Sequence, residues 1–184
     1  MSKITLISDE MEDILPMQDR SEGVHISSVI TDLCQRLGYF EGDLPPNQAW
    51  FELGNAMEWA MCDRLEKQFP GRYIQPGELE LDGLFGTPDL IDTEDWADEE
   101  IKLAWMSAKH KPDSQKMWRY WVQVMAYCKM MGTNIGRLRV VFVNGDYGTP
   151  GPKYRFWEQV FTDEELDENW AMLVTAGERL ERGD

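Results

Sequence analysis

The apolar positions of this chain change their period as it runs, and each change marks an element. Ile30, Leu33 and Leu37 recur at helical spacing after Ser27 or Ser28, either a good N-cap, and stop at Gly38. This predicts a first helix. Residues 40–48 contain Pro45 and Pro46 and read as a loop. From Gln48 to about Phe69 the stripe Trp50, Leu53, Met57, Met61 and Leu65 predicts a second helix, ended by Pro70 and Gly71. Residues 1–23 are acidic and weakly periodic, and read as a lead-in arm.

The pattern then shortens to the period of strands. Residues 73–82, interrupted at Pro76-Gly77, read as one strand, and residues 86–91 and 99–105 as the two arms of a hairpin. The turn between those arms, DTEDWADE, is expected to be exposed to solvent. A third helix is expected from Asp113 or Ser114 to Met131, closed by Gly132 and rich in aromatic and methionine side chains suited to packing on a sheet. Residues 137–145 read as a buried strand and residues 154–161 as an alternating one. Thr162, with Glu165 at the capping-box position, opens a last helix bearing Leu166, Trp170, Leu173 and Leu180. The order predicts an α/β (mixed α+β) fold, a central mixed sheet flanked by helices.

Composition narrows the class. A length of 184 residues suits one compact domain, with residues 1–47 as arm and first helix and residues 48–184 as the main body. Eight tryptophans and 42% apolar residues suffice for a sizeable core. Cys34, Cys62 and Cys128 are odd in number and far apart, so they spell neither a disulfide framework nor a metal-ligand spacing. With no basic-then-apolar leader and no membrane-length apolar run, the expected location is the cytoplasm, away from membranes.

Charge complicates a nucleic-acid partner. Eighteen basic and 34 acidic residues give −16, which repels a polyanion at long range. The charge is uneven, however. Residues 102–155 hold ten Lys or Arg and two acids, a net +8, leaving −24 on the rest. That split suggests a basic face on an acidic body, with Lys109, Lys111, Lys116 and Arg119 as candidates to track a phosphate backbone.

The candidate chemistry sits on the hairpin. Alternate side chains of a strand share a face, so Glu100 and Lys102 project together, and Asp89, preceded by Pro88, can lie beside them if the hairpin closes. Two carboxylates and an ammonium are the minimal equipment for holding a divalent metal and a water against a phosphodiester. Glu58, four residues after Gly54, flanks the stripe of the second helix where a carboxylate could reach such a site. Gln123 and Tyr127, four apart, share a polar face of the third helix with Lys116 and Tyr120.

Pro88-Asp89, Glu100-Ile101-Lys102 and Gln123-Val124-Met125-Ala126-Tyr127, in that order, resemble the PD-(D/E)XK nuclease superfamily, in its RecB-like, phage-recombination exonuclease branch. The resemblance spans residues 48–161 and implies a restriction-endonuclease-like core. It implies Mg²⁺, with Mn²⁺ as a substitute, held by Asp89, Glu100, the main-chain carbonyl of Ile101 and Glu58. Lys102 would hold the attacking water, and Gln123 and Tyr127 would brace the site or touch DNA. Three cysteines are too few for the iron–sulfur cluster of some relatives, and no helicase phosphate loop occurs. The expected activity is metal-dependent exonuclease digestion of linear DNA in phage-type recombination or repair. The alternatives are a non-catalytic interaction protein of the same fold and an endonuclease. Expected partners are DNA, a single-strand annealing or recombination protein, and further copies of the chain in a ring.

Overall fold

The computed structural model describes residues 21–39, 48–148 and 150–183. Most of the expected arm and nearly all of the expected loop at residues 40–48 lie outside the described residues. The elements run β1 (Val24–His25), α1 (Ile26–Arg36), α2 (Gln48–Gln68), β2 (Tyr73–Ile74), β3 (Leu79–Leu81), β4 (Leu84–Gly86), β5 (Leu90–Asp92) and β6 (Ala97–Ala104). A single 3-10 turn (Gln115–Met117) leads into α3 (Trp118–Met131), followed by β7 (Ile135–Phe142), β8 (Lys153–Val160) and α4 (Asp163–Arg182). Among the described residues no helix is long and apolar enough to cross a membrane.

Two mixed sheets organise these elements, ordered β2-β5-β6-β7-β8 and β1-β4-β3. In the larger sheet β6 and β7 are parallel, so the chain must cross over between them, and α3 makes that crossing. It lies on Leu138, Val140 and Phe142 of β7 and Ala104 of β6 through Tyr120, Trp121, Val124 and Cys128. The approach is close because Gly136 has no side chain: a Cβ there would stand 2.3 Å from Val124 Cγ1. On the other face, Met57, Met61 and Leu65 of α2 cover Tyr73, Leu90 and Ile101. α1 and α4 close a second core with the far side of α3 and with Leu84.

The mixed sheet and four flanking helices match the expected class, while several boundaries move. The expected strand 86–91 is two strands in two sheets, because Pro88 has no N–H to give a ladder and the chain changes sheet across residues 87–89. Residues 73–82 split in the same way at Pro76-Gly77, where Gly77 takes a φ of 77°. α1 starts at Ile26, not after a serine cap; its N-cap is His25, without a side-chain cap bond. The pairing of β1 with β4 sets the entry of the chain into that helix. α3 begins later than expected, after the 3-10 turn. Only the C-terminal part of the α2 stripe is covered: Trp50 and Leu53 remain exposed. In α4 the capping box is present as expected, Thr162 accepting from the Glu165 amide and Glu165 from that of Thr162.

Candidate active site

The site forms just before β5 begins, beside the part of β6 that runs past it. Leu90 pairs with Glu99, so Asp89, one residue before β5, comes to rest beside Glu100. There the ladder stops, and the carboxylate takes over its role: Asp89 Oδ2 accepts the Ile101 amide at 2.6 Å. Lys102, two residues after Glu100 on the same face, has its Nζ 3.7 Å from Asp89 Oδ2 and in direct contact with Glu100 Oε1. Glu58 of α2 stands close enough to the cluster for the charges of Asp89, Lys102 and Glu100 to act on its carboxyl. The fold thus brings Asp89, Glu100 and Lys102 into contact, with Glu58 near them.

α3 forms the back of the site. Tyr127 is buried, and its hydroxyl accepts from Gln123 Nε2 at 2.9 Å. Burial, then the charge of Glu100, pushes its phenol well above the usual range, so it stays protonated and can donate. Its ring lies on the backbone of Gly86, where a Cβ would stand 2.7 Å from Tyr127 Cε1. The glycine at the end of β4 is what lets Tyr127 come this near.

The cluster carries more negative charge than it neutralises. Burial, then the charge of Asp89, pushes Glu58 up to about 9, against a partial offset from Lys102. Glu100 is pushed up to about 8 by burial and by Asp89, again opposed by Lys102. Burial works against charge on Lys102, but Asp89, Glu100 and Glu58 outweigh it and hold the ammonium well above its ordinary range. Both oxygens of Glu100 are buried; Oε1 touches the Lys102 ammonium, and Oε2 has no hydrogen-bond partner among the described residues. An all-oxygen donor set short of positive charge suits a hard divalent cation, so these residues fit Mg²⁺ or Mn²⁺ in their chemistry. Among the described residues no three His, Cys, Asp or Glu side chains stand as a ready-made cage, and the Lys102 ammonium is packed among the carboxylates.

The structure was compared with known proteins. No family model matches the sequence, and no curated protein does. Solved structures match by shape. The alkaline exonuclease LHK-Exo of Laribacter hongkongensis aligns over 88% of this chain and 89% of its own, at 15% identity and a TM-score of 0.52. Its complex with dAMP aligns over the same shares at 16% identity and a TM-score of 0.53. The chain has the fold of these exonucleases.

Within this alkaline-exonuclease fold the acidic turn needs correction. Expected to be solvent-exposed, DTEDWADE instead buries Asp92, Asp98 and Glu99. Asp92 pairs with Arg72 and Arg137, Asp95 with Arg137, Glu94 with Arg72, and Glu99 with Arg137 and Arg139. The basic segment is corrected by the same contacts. Arg137 and Arg139 are tied into this network and Lys129 pairs with Asp167, so part of the +8 is neutralised in place by acids outside the segment. Of the four proposed phosphate contacts, Lys109 and Lys111 are exposed on the loop that leaves β6, and Lys116 is exposed in the 3-10 turn. Arg119 is partly buried, its Nη2 donating to the Tyr120 hydroxyl at 2.9 Å.

Two participants escaped the sequence reading. Gly86 reads in the sequence only as the start of a strand, and its role depends on the ring of Tyr127, far along the chain. Asp98 is fully buried, both its oxygens lack partners among the described residues, and burial with the charge of Glu100 pushes its carboxyl well above the usual range. Strand alternation could have found it, since Asp98, Glu100 and Lys102 are spaced by two. A groove of about 730 Å³ between α3 and α4, lined by Trp118, Trp121, Met125 and Met172, contains none of the site residues.

Proposed function

We propose that this chain is a Mg²⁺-dependent deoxyribonuclease that degrades linear DNA from an end. The observation that carries this reading is the meeting of Asp89 and Glu100 around Lys102, with Glu58 near them and Glu100 Oε2 buried without a hydrogen-bond partner among the described residues. The fold likeness to an alkaline exonuclease, solved also with dAMP, supports it.

Asp89, Glu100 and Glu58, with the Ile101 carbonyl, would hold the cation, with Mn²⁺ as a substitute. When bound, the cation supplies charge neutralisation at the phosphate and lowers the pKa of an attacking water. Lys102, held protonated by its neighbours, orients that water and donates to the phosphate oxygens. The Asp89 bond to the Ile101 amide fixes Oδ2, the same oxygen that faces the Lys102 ammonium. Gln123 holds the Tyr127 hydroxyl in place behind Glu100, and Lys109, Lys111, Lys116 and Arg119 would meet the phosphate backbone of the substrate. Phage-type recombination, a single-strand annealing partner and a ring of subunits belong to the same proposal.

The test uses end-labelled linear duplex and covalently closed circular DNA with Mg²⁺. Linear DNA should be shortened and circles left intact, and Lys102→Ala should lower the rate by about 10²–10³-fold, the usual loss on removing a charge-stabilising donor. Equal rates for wild type and Lys102→Ala would remove Lys102 from the mechanism, and cutting of circles would make the enzyme an endonuclease. A non-catalytic protein of this fold is favoured by one observation, the absence among the described residues of a ready-made three-carboxylate cage. Calorimetry decides between the two: the enzyme binds Mg²⁺ at a site lost in Asp89→Ala, and a non-catalytic relative does not.

A further inference from the structure

Three residues beyond Lys102 the chain reaches Trp105, whose ring stacks on Trp50 in the first turn of α2, with centroids 5.4 Å apart and planes at 25°. Trp50 lies eight residues before Glu58, a distance of ~12 Å along a helix. Trp105 lies ~10 Å beyond Lys102 along extended chain. Since the two rings touch, both paths leave the carboxylate cluster in the same direction, and the aromatic pair stands beside the site. A third ring joins it. The Tyr147 hydroxyl donates to the Trp105 carbonyl at 3.4 Å, and Asn144 Nδ2 donates to the same oxygen at 3.0 Å.

Trp50 and Tyr147 do little for the core, and Trp105 is half-buried. Tyr147 is 71% exposed, Trp50 48% and the neighbouring Phe51 56%. Tyr147 also sits at a φ of 62°, a left-handed turn position that favours glycine or asparagine. Neither burial nor the turn calls for a tyrosine there. The Ala108 amide donates to the Gly145 carbonyl at 2.6 Å, which ties the loop after β6 to this turn and brings the exposed Lys109 alongside. Exposed aromatic rings with a lysine beside them are what a single nucleic-acid strand requires: a π-face for each base and a cation for the backbone.

We propose that Trp50, Trp105 and Tyr147 form a stacking platform for unpaired bases of the DNA strand whose phosphodiester lies at Glu100 and Lys102, with Lys109 beside its phosphates. This rests on the nuclease reading and deepens it, by assigning the substrate an unpaired end. A stacked strand rises ~3.4 Å per nucleotide, so about three nucleotides span the gap between platform and carboxylates. Bases inside a duplex are already stacked on each other, and only a single-stranded or frayed end offers faces to the rings. Recognition through π-faces is indifferent to base sequence.

The test is a tryptophan-fluorescence titration in EDTA, where no hydrolysis occurs, of the full chain with (dT)8 and with an abasic octamer of equal phosphate count. The expected result is quenching by (dT)8 with at least tenfold tighter binding than the abasic strand, and about tenfold weaker (dT)8 binding in Trp50→Ala and in Tyr147→Ala, the usual loss of one stacked base. Both variants should keep the wild-type circular dichroism and abasic affinity, and Trp50→Phe should retain most of the (dT)8 affinity. Equal binding of the two octamers overturns the proposal. So does unchanged (dT)8 affinity in both alanine variants, including the case where they alter only self-association and the patch is a protein contact. Because the titration needs neither metal nor turnover, a failed hydrolysis assay and a failed stacking assay are separate results.

Discussion

The two faces of β6 carry buried acids with opposite fates. On one face Glu99 joins Asp92, Glu94, Asp95 and Glu158 in sharing the guanidiniums of Arg72, Arg137 and Arg139. Burial works against the charge of Asp92, yet hydrogen bonds from Arg72 and Arg137 hold its carboxyl below the usual range. On the other face Glu100 and Asp89 meet the Lys102 ammonium, with Glu58 and Asp98 within reach of its charge, and Glu58, Asp98 and Glu100 are all driven upward. Residues adjacent in sequence thus sit in a finished ion network and in an unfinished one. Satisfied charges hold a structure, whereas under-neutralised ones await a cation. Net charge alone could not distinguish the two faces.

The largest effect expected from breaking this contrast is on the finished face. Arg137→Ala should cost about 3–5 kcal/mol in urea unfolding, because it strands buried Asp92 and Glu99 without their shared partner. A loss below 1 kcal/mol would mean that the network relaxes around the gap. Next comes Gly86→Ala, which pushes against Tyr127; overpacking of this kind costs about 1–3 kcal/mol, and DNA hydrolysis should fall with it. Unchanged hydrolysis in that variant would make Tyr127 a packing residue only. Asp98→Asn, by contrast, replaces a carboxyl already held protonated and should shift stability by less than about 1 kcal/mol. A large loss there would show that Asp98 carries a charge with a hidden partner.

A further contrast is in the pH dependence, where the faces have opposite signs. The folded pKa of Glu58 is raised from 4.5 to about 9, so its contribution is full below 4.5 and is lost as pH rises towards 9. That of Asp92 is depressed below 3.8, so its contribution is present above 3.8 and is lost as pH falls through the folded value. Thermal unfolding of the metal-free protein across this range should therefore show Glu58→Gln flattening the alkaline limb and leaving the acid limb in place. A variant that changes both limbs alike would remove the distinction between the faces.

Much of this was legible along the chain, though unevenly. The helical stripes, the capping box at Thr162 and the alternation that puts Glu100 with Lys102 are local, and local rules placed them. Strand boundaries failed at Pro76-Gly77 and at residues 87–89, where the chain passes from one sheet to the other. No local pattern says which sheet a short strand will join. The acidic turn was misjudged for the same reason: its partners Arg72, Arg137 and Arg139 come from β-strand neighbours distant in sequence.

By itself the sequence determined the residue types of the site, their order and their alternation, since these follow from the backbone periods of helix and strand. The tertiary structure alone decided that β5 stops short and leaves the Ile101 amide to Asp89, that Gly86 admits Tyr127, and which acids find guanidiniums. Each of these depends on desolvation and contact between segments far apart in the chain, and a carboxylate's charge state is set by what surrounds it once folded.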